Sequence, residues 1–230
     1  MATALEMARH YKMLSLEIVM QLLTGTAYDG STHPFPSTGM FSEADGSGVY
    51  SSSTRYGSSS GNIVSVSSTS TVQGVITDIF SSHRRLTEFL NTQTRPYHDP
   101  LATKKLSVLH GSATTQVMNA AYFQTRVPWE QTAGANGTGQ TPTNLLREGG
   151  FELNFVHCST YISDSKYYLF MRGIEPYKRP IWCTRRKGYE QWQATFITSD
   201  HTRDTGQVYI QGDCREGYGG ALAISTVSVQ

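Results

Sequence analysis

Charged residues are scarce in this chain of 230 residues. Lysine, arginine, aspartate and glutamate together make up 16% of it, well below the roughly 25% that is usual in soluble domains. Positive and negative charges nearly cancel and leave a formal net charge of +1 at pH 7. This balance does not indicate nucleic acid as a specific partner, and it provides little repulsion between copies of the protein. Association between copies is therefore favoured.

Cysteine is scarce too, and the three cysteines form no C-x-x-C pair and no zinc-finger spacing. An odd number in a chain of this length indicates a reducing compartment rather than a disulfide framework. Cys158, Cys183 and Cys214 could meet His157 or His201 in the fold and bind zinc. Buried free cysteines that pack as small apolar side chains are the commoner case. We expect no metal and no required cofactor.

Catalytic motifs are missing as well: the sequence has no G-x-S-x-G, no H-E-x-x-H and no calcium-loop pattern. His157 and Cys158 are neighbours on a predicted strand and so point to opposite faces, which disfavours a nucleophile–base pair. Acidic residues adjoin histidine in two predicted turns, Asp200–His201 with Asp204, and His98–Asp99. Pairs of this kind are common by chance, and we expect no enzyme.

Signals for export and membrane insertion are not found. Charged residues interrupt the apolar positions near the N-terminus, which disfavours a signal peptide. No apolar run approaches the ~18 residues of a membrane span. We expect a cytoplasmic protein with no membrane partner.

Residues 2–23 are predicted to form one long helix. Leu14, Ile18 and Leu22 recur every four residues on one side, and the helix contains no Gly or Pro. A turn-rich stretch follows. The helix either packs on its own core or projects as an arm, residues 1–24, that docks on a neighbouring molecule. Packing on its own core is the commoner case for such a helix, and both alternatives stay open at this point. If residues 1–24 form an arm, Leu14, Ile18 and Leu22 are its candidate intermolecular contacts.

Residues 25–230 are predicted to form a single domain. A helix is expected near 75–90 from the apolar period of "VITDIFSSHRRLTEFL". Short strands separated by Gly, Pro, Asp or Asn turns follow residue 105, beginning with "KLSVLH". Strands of this length and spacing are typical of two packed antiparallel sheets. The predicted fold class is α+β, mainly antiparallel β, with a β-sandwich core, flanking helices and a projecting N-terminal helix.

Tyrosine is plentiful, with 13 residues in the chain. Tyrosine is enriched at contact surfaces, and its phenol ionises near pH 10. An assembly held together near neutral charge would repel itself once these phenols ionise. The candidate alkaline-responsive contacts are Tyr161, Tyr167, Tyr168, Tyr177, Tyr189, Tyr209 and Tyr218.

The stretch "YFQTRVPWEQTAGANGTGQT", residues 122–141, nearly contains a phosphate-loop pattern, but Gln140 stands where that loop needs lysine. Its first part, "YFQTRVPWEQTAG", instead resembles a segment of the cypovirus polyhedrins, which crystallise around virions inside infected insect cells. Weaker likenesses follow in the same order: the strand and helix around 62–90, "FELNFVHCSTYI", and "GYGGALAISTVSVQ". The resemblance runs loosely over residues 2–230.

The resemblance implies a β-sandwich core with flanking helices, a homotrimer as building block and an N-terminal helix that ties trimers together. It also implies a cubic crystal in the cytoplasm of the infected host cell, an occlusion body that holds and protects virions through a virion surface protein. Such crystals dissolve in the alkaline larval midgut. Pro128 and Trp129 would anchor the core or the trimer interface. Some members hold nucleotides, so an adventitious nucleotide is compatible with it.

Two other functions are alternatives. A viral capsid or matrix β-sandwich would enclose nucleic acid, but it predicts a basic N-terminal arm, whereas residues 1–23 are nearly neutral. A cytoplasmic carbohydrate-binding β-protein would use an exposed Trp182 or Trp192 as a stacking platform.

Overall fold

The computed structural model describes residues 49–53, 61–124, 144–158, 165–185, 193–197, 209–213, 216–220 and 223–230, together with positions 6, 9, 19, 20, 162 and 163. The chain divides into two compact units. The larger comprises Ser42–Pro180 with Ala221–Gln230, and the smaller comprises Met1–Phe41 with Ile181–Gly220.

Nine strands are described. They are β1 (Ile63–Val64), β2 (Lys105–His110), β3 (Glu152–His157), β4 (Tyr167–Met171), β5 (Ile181–Arg185), β6 (Gln193–Ile197), β7 (Tyr209–Asp213), β8 (Glu216–Gly220) and β9 (Thr226–Val229). The larger unit is built on a five-stranded sheet in the order β1-β9-β4-β2-β3. β4 pairs antiparallel with β2 and β9. The outer strands are parallel to their neighbours, β1 to β9 and β3 to β2. The sheet is therefore mixed.

Three α-helices are described: α1 (Val72–Glu88), α2 (Thr115–Phe123) and α3 (Leu145–Glu148). Short 3-10 helices lie at Ala102–Lys104, Pro176–Lys178 and Ala223–Ser225. α1 begins after Thr71, whose hydroxyl accepts a hydrogen bond from the Gly74 N–H at 3.1 Å. α3 begins after Asn144, whose side-chain oxygen accepts from the Leu146 N–H. Both caps satisfy donors that the first helical turn leaves free.

The main core lies between one face of the sheet and the helices. Val75, Ile79 and Leu86 recur along α1 and are fully buried, as a 3.6-residue period requires of a helix face. α1 packs against α2 and β9. In β2, Leu106 and Val108 alternate with half-buried residues, so the same face of this central strand enters the core.

The opposite face of the sheet is covered at its centre. The Tyr50 ring lies 5.2 Å from the Tyr168 ring between centroids, and its hydroxyl shares a 2.8 Å hydrogen bond with Thr226 Oγ1. Asn62 is fully buried beside it, and its amide donates to the Val49 carbonyl at 2.8 Å. Because both faces are covered here, all four residues of β9 are buried.

The smaller unit contains two antiparallel pairs, β5 with β8 and β6 with β7. With the mixed sheet and helices of the larger unit, these pairs give an α+β fold. Four of the six described pairings are antiparallel. The β-sandwich stays a prediction, as does the division at residue 24. α1 occupies the region where a helix is predicted at 75–90.

Candidate functional site

Aromatic side chains from β3, the end of β2 and the end of α2 gather at one edge of the sheet. We call this group, His110, Tyr122, Phe123, Phe155 and His157, the aromatic edge. The Phe155 ring is the centre: its centroid lies 6.0 Å from both Tyr122 and His110, and 6.5 Å from Phe123. Phe123 is 64% exposed. A large aromatic residue this exposed is typical of a contact surface.

The position of the aromatic edge follows from local structure. β3 is the outermost strand, so His157 at its end is exposed. Tyr122 lies in the last turn of α2, and its hydroxyl donates to the Phe151 carbonyl just before β3, at 3.2 Å. That bond ties the helix end to the strand and places Phe123 beside the strand edge.

His110 is the buried member of the group. Its Nδ1 donates to the Gly111 carbonyl at 2.8 Å, and its ring centroid lies 5.9 Å from that of His157. Burial lowers the pKa of His110, the bond to Gly111 opposes this change, and the neighbouring His157 adds to it. His110 is therefore held neutral, as a packed structural histidine.

The arrangement offers no nucleophile or metal centre among the described residues. Burial raises the pKa of the Cys158 thiol, which disfavours the reactive thiolate. No group of three or more His, Cys, Asp and Glu residues that could hold a metal is found in the described ranges. Cys183 is exposed. Cys214 and His201 lie outside the described residues, as do Asp200 and Asp204.

His98 and Asp99 have structural partners. His98 is buried, with its Nε2 2.9 Å from the Ile224 carbonyl oxygen, and burial is the main cause that lowers its pKa. Asp99 accepts a hydrogen bond from the Leu101 N–H at 2.8 Å. The His98 contact joins the segment after α1 to the 3-10 helix that precedes β9, and the Asp99 contact is local to that segment.

The tyrosines singled out from the sequence occupy different environments. Tyr167 is fully buried, and its hydroxyl donates to Asp78 Oδ2 at 2.9 Å. Burial, and then the Asp78 charge, raise the pKa of Tyr167 above its ordinary value. Burial also raises the pKa of Tyr168. The folded chain therefore favours the protonated form of both phenols.

Tyr177 is the exposed counterpart, with 61% of its surface accessible. It lies in the 3-10 helix Pro176–Lys178, and the Lys178 ammonium lies 5.6 Å from its ring centroid. Lys178 also forms a 2.7 Å ion pair with Glu175, and hydrogen bonding to Glu175 is the main cause that raises the pKa of Lys178. Among the described tyrosines proposed as contacts, Tyr177 has the exposure that an intermolecular role requires.

Several sequence-predicted positions lie outside the described residues. They are Leu14, Ile18, Leu22, Pro128, Trp129, Tyr161, Tyr189 and Trp192. Tyr209 begins β7, Tyr218 lies within β8, and Trp182 lies within β5, each placed by its backbone alone.

Sequence reasoning overlooked two residues that matter in the structure. Asp78 is a fully buried carboxylate, and it accepts from the Ser67 N–H at 2.8 Å as well as from Tyr167. Its signal was present, because an acidic residue three positions after Val75 falls on the apolar side of α1. Phe123 gave no such signal, since its exposure depends on where α2 ends.

Comparison with known proteins adds little to this description. No family model matches the chain, and no curated protein matches it. Among solved structures it is similar to the virus-like particle from Pyrococcus furiosus, at 8% identity and a TM-score of 0.37. The alignment covers 74% of this chain and 56% of that one, so this chain spans well under two thirds of its neighbour. A likeness at this level assigns neither fold nor function.

A search of the described helices finds none that is long and apolar enough to cross a membrane.

Proposed function

We propose that this protein is a structural protein of viral occlusion bodies, similar to the cypovirus polyhedrins, that assembles with copies of itself into an intracellular crystal around virions. The observation that carries the proposal is the likeness of residues 122–134 to the polyhedrin segment around its Pro-Trp-Glu. The structure supports it at one point: this segment begins at the end of α2, where Phe123 is exposed beside the outermost strand.

Composition supports the same proposal. With a net charge of +1 and few charged residues, copies of the chain repel one another weakly, so exposed aromatic side chains can hold them together. Tyr177 and Phe123 are two such side chains on the larger unit. Aromatic residues are enriched in the contact surfaces between protein chains.

The finer features belong to the proposal as well. They are a β-sandwich core predicted within residues 25–230, a homotrimer, an N-terminal helix that links trimers through Leu14, Ile18 and Leu22, and an anchor at Pro128 and Trp129. The crystal forms in the host cytoplasm, binds a virion surface protein, and dissolves in alkali. No enzymatic step and no cofactor are part of it.

The experiment is expression of the chain alone in insect cells, with microscopy of the cytoplasm. Particles are then moved from neutral buffer to about pH 10.5, where phenol and ammonium groups titrate. Faceted, diffracting particles that persist at neutral pH and dissolve in alkali are expected. Diffuse soluble protein would contradict the proposal, and hollow shells would indicate a capsid protein instead. An unrelated soluble protein expressed from the same vector controls for particles caused by overexpression.

A further inference from the structure

Among the described strands, none pairs with the outer edge of β3. Its inner edge pairs with β2. Monomeric proteins usually guard such an edge with lysine, proline or a bulge, since its free backbone groups invite another chain. The sequence of β3, "ELNFVH", contains neither lysine nor proline, and its register with β2 runs without interruption from Glu152 to His157.

The backbone groups that face outward can be identified. The Cys158 N–H donates to the His110 carbonyl at 2.9 Å, so even-numbered residues at this end direct their backbone groups toward β2. Because backbone direction alternates along a strand, Leu153, Phe155 and His157 direct their N–H and C=O groups away from it. The strand at the opposite edge of the sheet is β1, which has only two residues and therefore fewer backbone groups that could pair with another chain.

The side chains of β3 permit the approach of a second copy. Glu152, the only acidic residue in the strand, is paired with Lys105 at 3.3 Å and with Arg172 at 3.6 Å on its own chain. Two such edges therefore meet without an unpaired negative charge at either. Asn154 is exposed, and Val156 is 37% exposed.

We propose that β3 pairs antiparallel with β3 of a second copy across a twofold axis at Asn154. This register places Leu153 opposite Phe155 of the second copy, on the face that carries the core, and both residues present outward backbone groups. Asn154 faces its own equivalent as a non-hydrogen-bonded pair, in which two amide side chains can bond to each other. Phe123, in ring contact with Phe155, comes close to the axis and loses its exposure to water.

This inference rests on the proposed function, because it names one of the contacts by which copies associate. A trimer carries three β3 edges, so twofold pairing would connect each trimer to three others and extend the assembly beyond a single trimer. Both edges are the same surface, so each pairing is closed and consumes both of its edges. Other associations, such as those of the N-terminal helix, do not depend on it.

The test is a cross-link through Asn154→Cys. In an antiparallel sheet, Cα atoms of a non-hydrogen-bonded pair lie about 4.5 Å apart, within the range that a disulfide spans. Mild oxidation of the purified full-length variant, either as particles or as concentrated soluble protein, should convert most of it to a dimer on a non-reducing gel. Wild type controls for the native cysteines. Asn119→Cys, at an exposed position on α2, is the matched control and should stay monomeric, as should Val156→Cys, whose equivalent lies several residues away in this register.

The outcomes separate the two proposals. Particles that form and dissolve as expected, without a dimer of the Asn154→Cys variant, would overturn the β3 pairing and leave the proposed function standing. A specific dimer in protein that never forms particles would support the pairing and overturn the proposed function. Equal cross-linking of Asn154→Cys and Asn119→Cys would show non-specific collision and overturn the pairing.

Two variants that place opposite charges at position 154 give an independent check. Asn154→Lys and Asn154→Glu each place like charges opposite one another at the axis and should separate the copies, as measured by sedimentation at matched concentration. Mixing the two variants should restore the dimer, because opposite charges then meet. Asn119→Lys, the same change on α2, should leave association unchanged. Dimers of Asn154→Lys as abundant as those of wild type would contradict the proposal.

Discussion

At the scale of single residues, burial and hydrogen bonding decide which groups can respond to pH. Asp78 lies inside the larger unit and accepts hydrogen bonds from the Ser67 N–H and the Tyr167 hydroxyl. Each bond to a buried carboxylate replaces one that water would have made. Tyr167 is thus part of a buried polar contact between α1 and β4, and its phenol is stabilised in the protonated form.

The raised pKa of Tyr167 fixes the sign of an alkaline effect on folding. A group whose folded-state pKa lies above its unfolded value contributes stability fully below the unfolded pKa, and this stability is lost as pH rises toward the folded pKa. Above about pH 10, each such tyrosine should lower the free energy of unfolding by about 1.4 kcal/mol per pH unit. Tyr50 and Tyr168, whose pKa values are also raised, act in the same direction.

We therefore predict two effects of Tyr167→Phe, measured by urea unfolding between about pH 7 and pH 11. Near neutral pH the free energy of unfolding should fall by about 1–3 kcal/mol, because Asp78 loses a donor. Above about pH 10 its decline with pH should be shallower than in wild type, since one buried phenol is gone. Tyr177→Phe is the matched control, as Tyr177 is exposed and loses only a surface hydrogen bond to Glu175. It should change the free energy of unfolding by less than about 0.5 kcal/mol and keep the alkaline slope of wild type, because the buried Tyr167 phenol is intact. An unaltered alkaline slope in Tyr167→Phe would contradict the assignment.

At the scale of elements, the local sequence pattern predicted the helices and strands that bury one face against the core. The apolar period of "VITDIFSSHRRLTEFL" predicts a helix at 75–90, and α1 spans Val72–Glu88. The strand predicted from "KLSVLH" is β2, Lys105–His110. α2 was harder to predict because it has only nine residues, and β5 and β8 were not anticipated. Gly-rich "EGYGG" has weak strand propensity and forms β8 through its pairing with β5.

The local sequence pattern could not predict whether neighbouring strands run parallel or antiparallel. β2 and β3 each carry alternating or continuous apolar residues, which suit either direction. Their parallel pairing follows from the chain between them, which includes α2 and α3 and returns to the same end of the sheet. The same reason applies to the aromatic edge: residues from α2 and β3 meet there only because the crossover brings the helix end beside the strand.

We predict that Gly74→Ala destabilises the protein although alanine is the better helix former. Propensity alone would favour alanine by about 1 kcal/mol. A Cβ at this position, however, would lie 2.5 Å from the Ser68 carbonyl oxygen and 2.7 Å from Ser68 Cβ, so the backbone before α1 must shift. We expect a net loss of about 1–3 kcal/mol, seen as a melting temperature lowered by several degrees.

Thr77→Ala is the control for this prediction, since Thr77 is exposed one turn further along the same helix. It should change the free energy of unfolding by less than about 0.5 kcal/mol. If Gly74→Ala proved as stable as wild type, the close approach of Ser68 to α1 would be incorrect.

At the scale of the whole molecule, the property that the composition predicts most directly is association between copies of the chain. Near-neutral charge and exposed aromatic groups favour contact between copies, and the predicted helix at residues 2–23 would add one further contact. The larger unit contains none of those residues. Deleting residues 2–23 should therefore preserve its core, measured as a cooperative thermal transition, and should abolish particles in expressing cells.

A substitution set tests the same helix without shortening the chain. Replacing Leu14, Ile18 and Leu22 together with alanine should also prevent particles. Replacing Glu6, His10 and Glu17, on the opposite side of the predicted helix, should have little effect. Normal particles from the first set would remove the arm from the mechanism of assembly.

The position of β9 has a consequence for synthesis on the ribosome. β9 lies between β1 and β4, and its residues 226–229 are made more than fifty residues after β4. Until β9 is made, β1 has no strand to pair with in the sheet, and the edge of β4 that will pair with β9 is also unpaired. The five-stranded sheet can close only once residues 226–229 are available to pair with β1 and β4, so this sheet is expected to form last, after its other strands have been made. Chains cut short before β9 cannot complete the sheet, and we expect them to be digested by protease faster than the full chain.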